Sequence, residues 1–206
     1  MEKQNSKEVL MVFVKNPELG KAKTRLAKTV GDKKALDIYL QLLRYTKSTL
    51  DKIPQDKQVH YSSFVDSNDF WKEGDYQKAL QNQSKDLGEK MLNAFQENFK
   101  HGYEKVIIIG SDCPEIAKET IQEAFKKLDT HDVVFGPAED GGYYLLGMRE
   151  MIPELFGNKK WSSDSVIADS IKDCETKNLS YGLLATFSDV DLEEDWRKFE
   201  DKLKGY

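Results

Sequence analysis

The stretch VIIIGSDCP, Val106 to Pro114, decides how we interpret the rest of the chain. Its first four residues are β-branched and do not alternate with polar ones, which is typical of a short strand buried on both faces of a parallel sheet. Asp112 stands where this strand ends, and Pro114 lacks the N–H that a sheet ladder needs. Because ligands of open parallel sheets bind beyond the carboxyl ends of the strands, Asp112 is the first candidate for chemistry. The alternative is that Asp112 caps the helix that follows.

The composition is that of a soluble globular protein. The 206 residues, of which 33% are charged, are enough for one domain, which we expect to span residues 1–206. The net charge is −5 and the basic residues are spread along the chain, which argues against nucleic-acid binding. The N-terminus has too short an apolar run for a signal peptide, and no segment approaches a membrane span. Cys113 and Cys174 lack metal-ligand spacing, so we expect reduced thiols in a cytoplasmic protein.

Apolar runs and helical spacings alternate along the chain. The predicted strands cover 8–15, 58–65, 76–81, 106–109, 132–135, 143–148 and 180–187, and the predicted helices cover 32–53, 86–100, 117–128, 163–176 and 193–202. Strands separated by helices of this length predict an α/β fold with a mostly parallel central sheet and helices on both faces. The close pair of strands around GPAEDGG, residues 136–142, predicts an antiparallel addition to that sheet.

A basic loop, NPELGKAKTRL at residues 16–26, follows the first strand. Together with the residue before it, the loop supplies four cations, Lys15, Lys21, Lys23 and Arg25, which suits a polyphosphate. The loop satisfies neither the Walker pattern nor G-x-G-x-x-G. Lys23 and Arg25 are two residues apart, so we expect both to reach one ligand only if the loop is extended. The alternative is a solvated basic loop.

Two further carboxylate positions are candidates. Asp140 precedes Gly141-Gly142, where glycines let the backbone approach a ligand closely, although Asp-Gly is also a strong signal for a plain hairpin turn. In DVDLEED, residues 189–195, Asp191 with Glu194 resembles the start of a capping box. Asp191 could equally be a metal ligand. Mg²⁺ usually takes one or two protein carboxylates and fills its shell with phosphates and water, and Asp112 plus Asp191 would satisfy that need.

Six blocks, taken together, resemble a known family. They are PELGKAKTRL (17–26), LGEKM (87–91), GSDCP (110–114), GPAEDGGYYLLG (136–147), WSS (161–163) and DVDLEED (189–195). In this order they resemble a bacterial family of GT-A-type nucleotide-diphospho-sugar transferase-like proteins, often described as glycosyltransferase-like or selenodomain-associated transferases. The resemblance covers nearly the whole chain, and the first and fourth blocks are the most specific.

The resemblance implies a Rossmann-like GT-A fold and a set of site residues. It implies that Asp112 binds a metal, Mg²⁺ or Mn²⁺, and that Asp191 completes the metal site. The first loop would wrap the nucleotide phosphates, with Lys15, Pro17, Gly20, Lys23, Thr24 and Arg25. The chain departs from the family where members often carry Arg in place of Lys15 and Gly-Gly in place of Ser84-Lys85. The second departure bears on which nucleotide is preferred.

We therefore expect a metal-dependent transferase that moves a glycosyl group from a nucleotide-sugar donor to a small-molecule acceptor. Asp112 and Asp140 are the predicted catalytic residues, with Asp140 as the base that an inverting route needs. One alternative is nucleotidyl transfer from an NTP to a phosphorylated acceptor, which needs no base. Another is a nucleotide-binding module without catalysis. Asp112 and Asp191 carboxylates more than about 8 Å apart would favour the module, since two oxygens of one Mg²⁺ shell lie within ~4.2 Å.

Overall fold

The strand that contains Val106–Ile109 lies at the centre of the sheet. The structure is a computed structural model that describes residues 7–72, 74–157 and 159–206. The strands are β1 Glu8–Val14, β2 Asp56–Tyr61, β3 Gln77–Leu80, β4 Lys105–Ile109, β5 Val133–Pro137, β6 Tyr143–Met148 and β7 Tyr181–Leu183. The helices are α1 Thr24–Val30, α2 Asp32–Leu50, α3 Leu87–Lys100, α4 Lys118–Lys127, α5 Val166–Thr176 and α6 Glu193–Leu203, with a 3₁₀ turn at Pro153–Phe156.

The described strands form one sheet in the order β3-β2-β1-β4-β6-β5-β7. The first four in chain order are mutually parallel, β6 is antiparallel to both β4 and β5, and β5 is parallel to β7. The prediction of a mostly parallel sheet with an antiparallel addition is therefore confirmed. Because β6 is the reversed strand, β1, β4, β5 and β7 end at the same edge of the sheet.

Alternate residues of β1 show how the sheet is covered. Val9 and Met11 belong to an apolar cluster with Phe95 of α3, whereas Leu10 and Val12 belong to a second cluster with side chains of α2 and α4. All four strand residues are fully buried, as the unbroken apolar run predicted. Helices therefore cover both faces of the sheet, which confirms the α/β class.

A third apolar cluster, which we call the α6 cluster, joins the end of the chain to its beginning. It contains Leu26 of α1, Ile38 of α2, and Val190 and Trp196 from the last segment. Burying these side chains holds residues 189–191 against the first loop. The cluster therefore places the carboxylate segment 189–191 beside the basic loop.

Several predicted boundaries are wrong. The loop predicted at 16–26 turns into helix α1 at Thr24, and the strand predicted at 58–65 covers Asp56–Tyr61. The helix predicted from residue 163 begins at Val166, and the strand predicted at 180–187 keeps only Tyr181–Leu183. After Leu183 the chain no longer pairs regularly with β5, and its next pairing with the sheet segment is one isolated β-bridge between Ala138 and Phe187. Among the residues that the structure describes, no helix is long and apolar enough to span a membrane.

Candidate active site

Asp112 lies at the carboxyl end of β4 and is not a helix cap. Helix α4 begins only at Lys118, with Ala117 as its N-cap residue. The backbone carbonyl of Asp112 accepts a hydrogen bond from the N–H of Val190 at 3.0 Å. This bond joins the end of the central strand to the segment that carries Asp189 and Asp191.

The ammonium of Lys23 lies between two carboxylates. Its Nζ is 2.9 Å from Asp112 Oδ2 and 3.3 Å from Asp191 Oδ1. These two oxygens are therefore at most 6.2 Å apart, which is the sum of the two distances. The separation is below the value of about 8 Å above which a module without a metal site would be favoured. Arg25 Nη1 also contacts Asp191, at 3.2 Å from Oδ2. The structure thus brings together four of the predicted site residues.

Lys23 is buried and keeps its charge. Its side chain is only 5% exposed. Burial alone would lower the pKa of Lys23, but the carboxylates of Asp112 and Asp191 raise it above its ordinary value. A buried ammonium needs such partners, because a charge removed from water without them is strongly destabilising.

The backbone at Lys23 explains how it and Arg25 meet at one carboxylate. Lys23 adopts the left-handed conformation, with φ 50°, and is the N-cap residue of α1. The chain therefore turns into the helix between the two cations instead of staying extended. The expectation that only an extended loop lets both residues reach one group is wrong, since Asp191 is bound by both.

Asp191 does not start a capping box with Glu194. Helix α6 begins at Glu193, and Asp195 Oδ2 accepts hydrogen bonds from the N–H groups of Asp191 and Leu192 at 3.2 and 2.9 Å. Asp195 thus satisfies the orphan N–H groups that precede the helix. The carboxylate of Asp191 is left to face Lys23 and Arg25.

Tyr39 of α2 fixes the start of the basic loop, and the sequence analysis did not identify it. Its hydroxyl accepts a hydrogen bond from the N–H of Lys15 at 2.8 Å and donates one to the carbonyl of Lys15 at 3.0 Å. The same oxygen is 3.4 Å from Ser111 Oγ. Tyr39 thus ties the ends of β1 and β4 together. Its place among the helical apolar positions of α2 gave no local sign of this role.

Asp140 belongs to the turn between β5 and β6, and it also lies at the candidate site. Its Oδ1 accepts a hydrogen bond from the N–H of Gly142 at 2.9 Å, as in an ordinary turn. Gly141 has φ +85°, and a Cβ there would lie 2.1 Å from the carbonyl oxygen of Asp164. Only glycine fits this close approach. Asp140 is exposed and also lines a cavity of about 230 Å³.

Asp189 lines the same cavity and is a candidate site residue that the sequence analysis missed. Burial, and then the negative charges of Asp112, Asp140 and Asp191, raise the pKa of Asp189 to about 7, against the opposing effect of Lys23. The D-x-D spacing of Asp189 and Asp191 was the available signal, because residues two apart in extended backbone point the same way.

The remaining predicted residues of the basic loop are placed around this centre. Lys15 and Thr24 are exposed, Pro17 is half-buried, and Gly20 has φ +74°, a conformation that favours glycine. Among the described residues no group of three or more His, Cys, Asp or Glu side chains is arranged to hold a metal ion. At this centre, Asp112 and Asp191 are the two carboxylates that form ion pairs with the same cation, Lys23.

A larger cavity, of about 800 Å³, lies away from this site, between β2, β3 and α3. Its residues include the buried side chains Gln58, His60 and Asn98, which hydrogen-bond to one another. None of the predicted site residues lines it. We therefore place the candidate site by the convergence of charged groups at the sheet edge and not by the size of a cavity.

Known proteins resemble this chain along most of its length. A "2-phospho-L-lactate guanylyltransferase" from Methanocaldococcus vulcanius is 24% identical over 194 residues, which cover 90% of this chain and 82% of the relative. The crystal structure of a "putative nucleotide-diphospho-sugar transferase" from Desulfovibrio desulfuricans G20 is 29% identical, with a TM-score of 0.85 and 98% coverage of both chains. The fold, including its GT-A-like character, is confirmed, and the chain is an enzyme of the transferase class.

A more distant protein of Mycobacterium tuberculosis, solved as a complex with manganese, shares the fold alone. It is 10% identical, with a TM-score of 0.51, and the match covers 94% of this chain and 98% of that one. A family model matches the central part of the chain. Residues 46–163 match the model of a family described as "Uncharacterized protein conserved in bacteria (DUF2064)". This match covers more than half of the sequence and includes the segments of β4 and of Asp140. The chain belongs to this DUF2064 family.

Proposed function

We propose that this protein is a divalent-metal-dependent transferase that acts on a nucleotide-sugar donor. The observation that carries the proposal is the position of the Lys23 ammonium between Asp112 and Asp191, beside a basic loop and at the ligand-binding edge of the sheet. The pair of carboxylates already holds one cation. The loop supplies further positive charge next to it.

The two carboxylates suit Mg²⁺ or Mn²⁺. Both metals prefer oxygen ligands, and Mg²⁺ is commonly held by one or two carboxylates together with substrate phosphates. Asp112 and Asp191 would hold the metal, which would neutralise charge on the phosphates of the donor. The fold neighbour that was solved with manganese supports this choice.

The charges around the site support a role for Lys23 and Arg25 on the phosphates. The negative charges of Asp112, Asp140 and Asp191 act on Asp189, and Lys23 is a cation that acts on the same carboxylate. A polyphosphate placed beside these carboxylates alone would be repelled. A divalent cation on Asp112 and Asp191 would release Lys23 to neutralise phosphate oxygens, together with the exposed Arg25. Catalysis of this kind rests on positioning and electrostatic stabilisation.

Asp140 is the base that we propose for glycosyl transfer to a hydroxyl. One of its oxygens is held by the N–H of Gly142, which orients the carboxylate and leaves the other oxygen for a proton. A second candidate reaction is nucleotidyl transfer, because the relative from Methanocaldococcus vulcanius is named a guanylyltransferase. That reaction would use the same metal and the same loop, and it would leave Asp140 without a role as base.

Binding measurements on two matched variants test the metal site. Calorimetric titration of UDP, GDP and CDP with Mn²⁺ and with chelator should show a metal-dependent gain in affinity of about tenfold or more in the wild type. Asp112→Asn keeps the shape but removes the charge, so it should lose that gain. Asp201→Asn is the control, since its side chain is 96% exposed on α6. An Asp112→Asn variant that keeps the full metal-dependent gain would contradict the proposal.

Product analysis separates the two reactions. A glycosyltransferase should release a nucleoside diphosphate from a nucleotide-sugar. The release should be slow when the sugar is transferred to water and faster when a suitable acceptor is present. A nucleotidyltransferase should release pyrophosphate from an NTP. Asp140→Asn should slow the first reaction strongly while leaving the affinity for the bare nucleoside diphosphate nearly unchanged.

A further inference from the structure

The cavity of about 230 Å³ has one acidic end and an aromatic wall, and we call it the acidic cavity. Asp140 and Asp189 form the acidic end, and Trp161, Tyr143 and Met91 form part of the wall. Lys, Arg and His are absent from the described residues that line it. It is smaller than the roughly 300–1,000 Å³ of pockets for drug-sized ligands, so it suits one small ring.

The indole of Trp161 is held in a fixed position. It meets the ring of Tyr143 edge to face, with centroids 6.4 Å apart. A Cβ added at Gly88, in the first turn of α3, would lie 2.5 Å from Trp161 Nε1, so the indole lies directly on the helix backbone. This contact gives a physical reason for glycine in the LGEKM block. A rigid aromatic ring can pack against the apolar face of a second ring at little entropic cost.

None of the described residues that line the acidic cavity carries a cationic side chain that would neutralise an anionic group. The N–H of Gly142 is bound to Asp140, and the N–H of Gly110 is bound to the carbonyl of Tyr144. Carboxylates only accept hydrogen bonds when ionised, so they would repel a phosphate or a carboxylate. They would instead accept hydrogen bonds from hydroxyl groups. The cations of the site, Lys23 and Arg25, lie on Asp191 and serve the phosphate side.

We infer that the acidic cavity binds the uncharged, hydroxylated ring of the sugar and rejects phosphorylated or carboxylated groups. This inference rests on the proposed function, because it assigns the sugar to a place beside the phosphate site. It also separates this chain from its curated relative, whose name specifies a phosphorylated and carboxylated substrate, 2-phospho-L-lactate. Asp189 and Asp140 set the charge preference, and Trp161 provides the surface for the ring.

The test compares ligands that differ only in the sugar. UDP, UDP-glucose and UDP-glucuronate are titrated calorimetrically with Mn²⁺, in parallel with GDP, GDP-mannose and GDP-mannuronate. In the set whose base binds, the wild type should prefer the neutral sugar over the anionic one by about tenfold or more, since like charges repel in a desolvated site. Asp189→Asn should reduce this preference, and the affinity for the bare diphosphate should stay within about twofold.

Two variants of Trp161 test the aromatic wall. Trp161→Ala should remove the gain in affinity that the sugar adds to the bare diphosphate, and Trp161→Phe should restore much of it because a ring is present. Circular dichroism and the melting temperature show whether both variants are folded. If Trp161→Ala is not folded, Gly88→Ala serves instead, because its Cβ displaces the indole from outside the cavity wall.

The outcomes separate this inference from the proposed function. One outcome is that the bare diphosphates bind with Mn²⁺ and that UDP-glucuronate or GDP-mannuronate binds with the same affinity as UDP-glucose or GDP-mannose. In that case the inference is wrong and the proposed function stands. An Asp189→Asn variant that loses bare diphosphate binding would assign Asp189 to the metal site and overturn its role in sugar selection. If no nucleotide of either set binds, the proposed function fails and the inference fails with it.

Discussion

At the scale of single residues, the structure depends on contacts that the sequence analysis could not foresee. Lys23 and Asp191 are 168 residues apart, and no local pattern reports that they meet. Both were candidates from the sequence, Lys23 as a cation of the basic loop after the first strand and Asp191 as a possible metal ligand in DVDLEED. Tyr39 was missed because it looks like an ordinary apolar helix residue, and Asp189 was missed although its D-x-D spacing with Asp191 was a signal.

Arg25 offers a test of the phosphate side of the site. Its side chain is 69% exposed and rests on Asp191, so it is free to contact a ligand. Arg25→Ala should weaken nucleotide binding at saturating Mn²⁺ by about tenfold at low salt, because a charge-assisted hydrogen bond is lost. The loss should shrink as salt rises, since screening already weakens the wild type. Calorimetric titrations at two salt concentrations, one well below and one well above physiological ionic strength, measure this change.

Arg44→Ala is the matched control for this measurement. Arg44 is exposed on α2 and lies outside the site. Its removal changes the net charge of the protein by the same amount, so it corrects for long-range electrostatic attraction of the nucleotide. Equal affinities of Arg25→Ala and Arg44→Ala at low salt would show that Arg25 does not bind phosphate.

At the scale of elements, the strands were easier to predict than the short helices. An apolar run such as that of β4 identifies a buried strand wherever it occurs. Helix α1 has only seven residues and begins after a lysine in the left-handed conformation, without a capping side chain. Neither feature appears in the usual pattern of a helix start. Its formation depends on Leu26, which is fully buried in the α6 cluster.

Helix α6 positions Asp191 through the α6 cluster. Trp196 is 6% exposed, and Lys34 Nζ of α2 lies 4.3 Å from the centroid of its indole ring. Trp196→Ala should lower the free energy of unfolding by about 3–5 kcal/mol, because it removes a large buried side chain. Because Asp191 lies just before α6, the variant should also bind Mn²⁺ and nucleotide more weakly. Denaturant unfolding and calorimetry below the melting temperature measure the two effects.

Asp201→Asn, on the exposed side of the same helix, should change neither quantity. A Trp196→Ala variant that is less stable but binds Mn²⁺ and nucleotide as tightly as the wild type would show that α6 stabilises the fold without positioning Asp191.

At the scale of the whole molecule, the order of the strands carries the site. The hairpin of β5 and β6 was evident from the turn between them, but the pairing of β6 with β4 joins segments that are distant in sequence. That pairing places the Asp140 turn at the same edge as Asp112. Local patterns predicted the strands and their turn, and the tertiary packing of their apolar faces decides which strands are neighbours.

The acidic edge of the sheet should make the stability of the whole molecule depend on pH. The pKa of Asp189 is raised from 3.8 to about 7, so the native state keeps a proton that the unfolded chain has lost between these values. Stability falls with rising pH wherever the native state binds more protons. With chelator present, the free energy of unfolding should therefore contain a contribution that decreases from pH 4 to pH 7, by up to about 4 kcal/mol at 1.36 kcal/mol per pKa unit.

Asp189→Asn should remove this decrease, because the amide does not ionise, and it should be more stable than the wild type above pH 7. Denaturant unfolding of both proteins across this range measures the difference, with Asp164→Asn in a neighbouring exposed loop as the control. Burial is the main reason that the pKa of Asp189 is raised, and repulsion by Asp112, Asp140 and Asp191 adds to it. Adding Mn²⁺ should reduce the difference, since a divalent cation on Asp112 and Asp191 would offset part of that repulsion. Parallel pH profiles for the wild type and Asp189→Asn would mean that Asp189 is ionised throughout, and that the carboxylates at this edge of the sheet are already neutralised by Lys23 and Arg25.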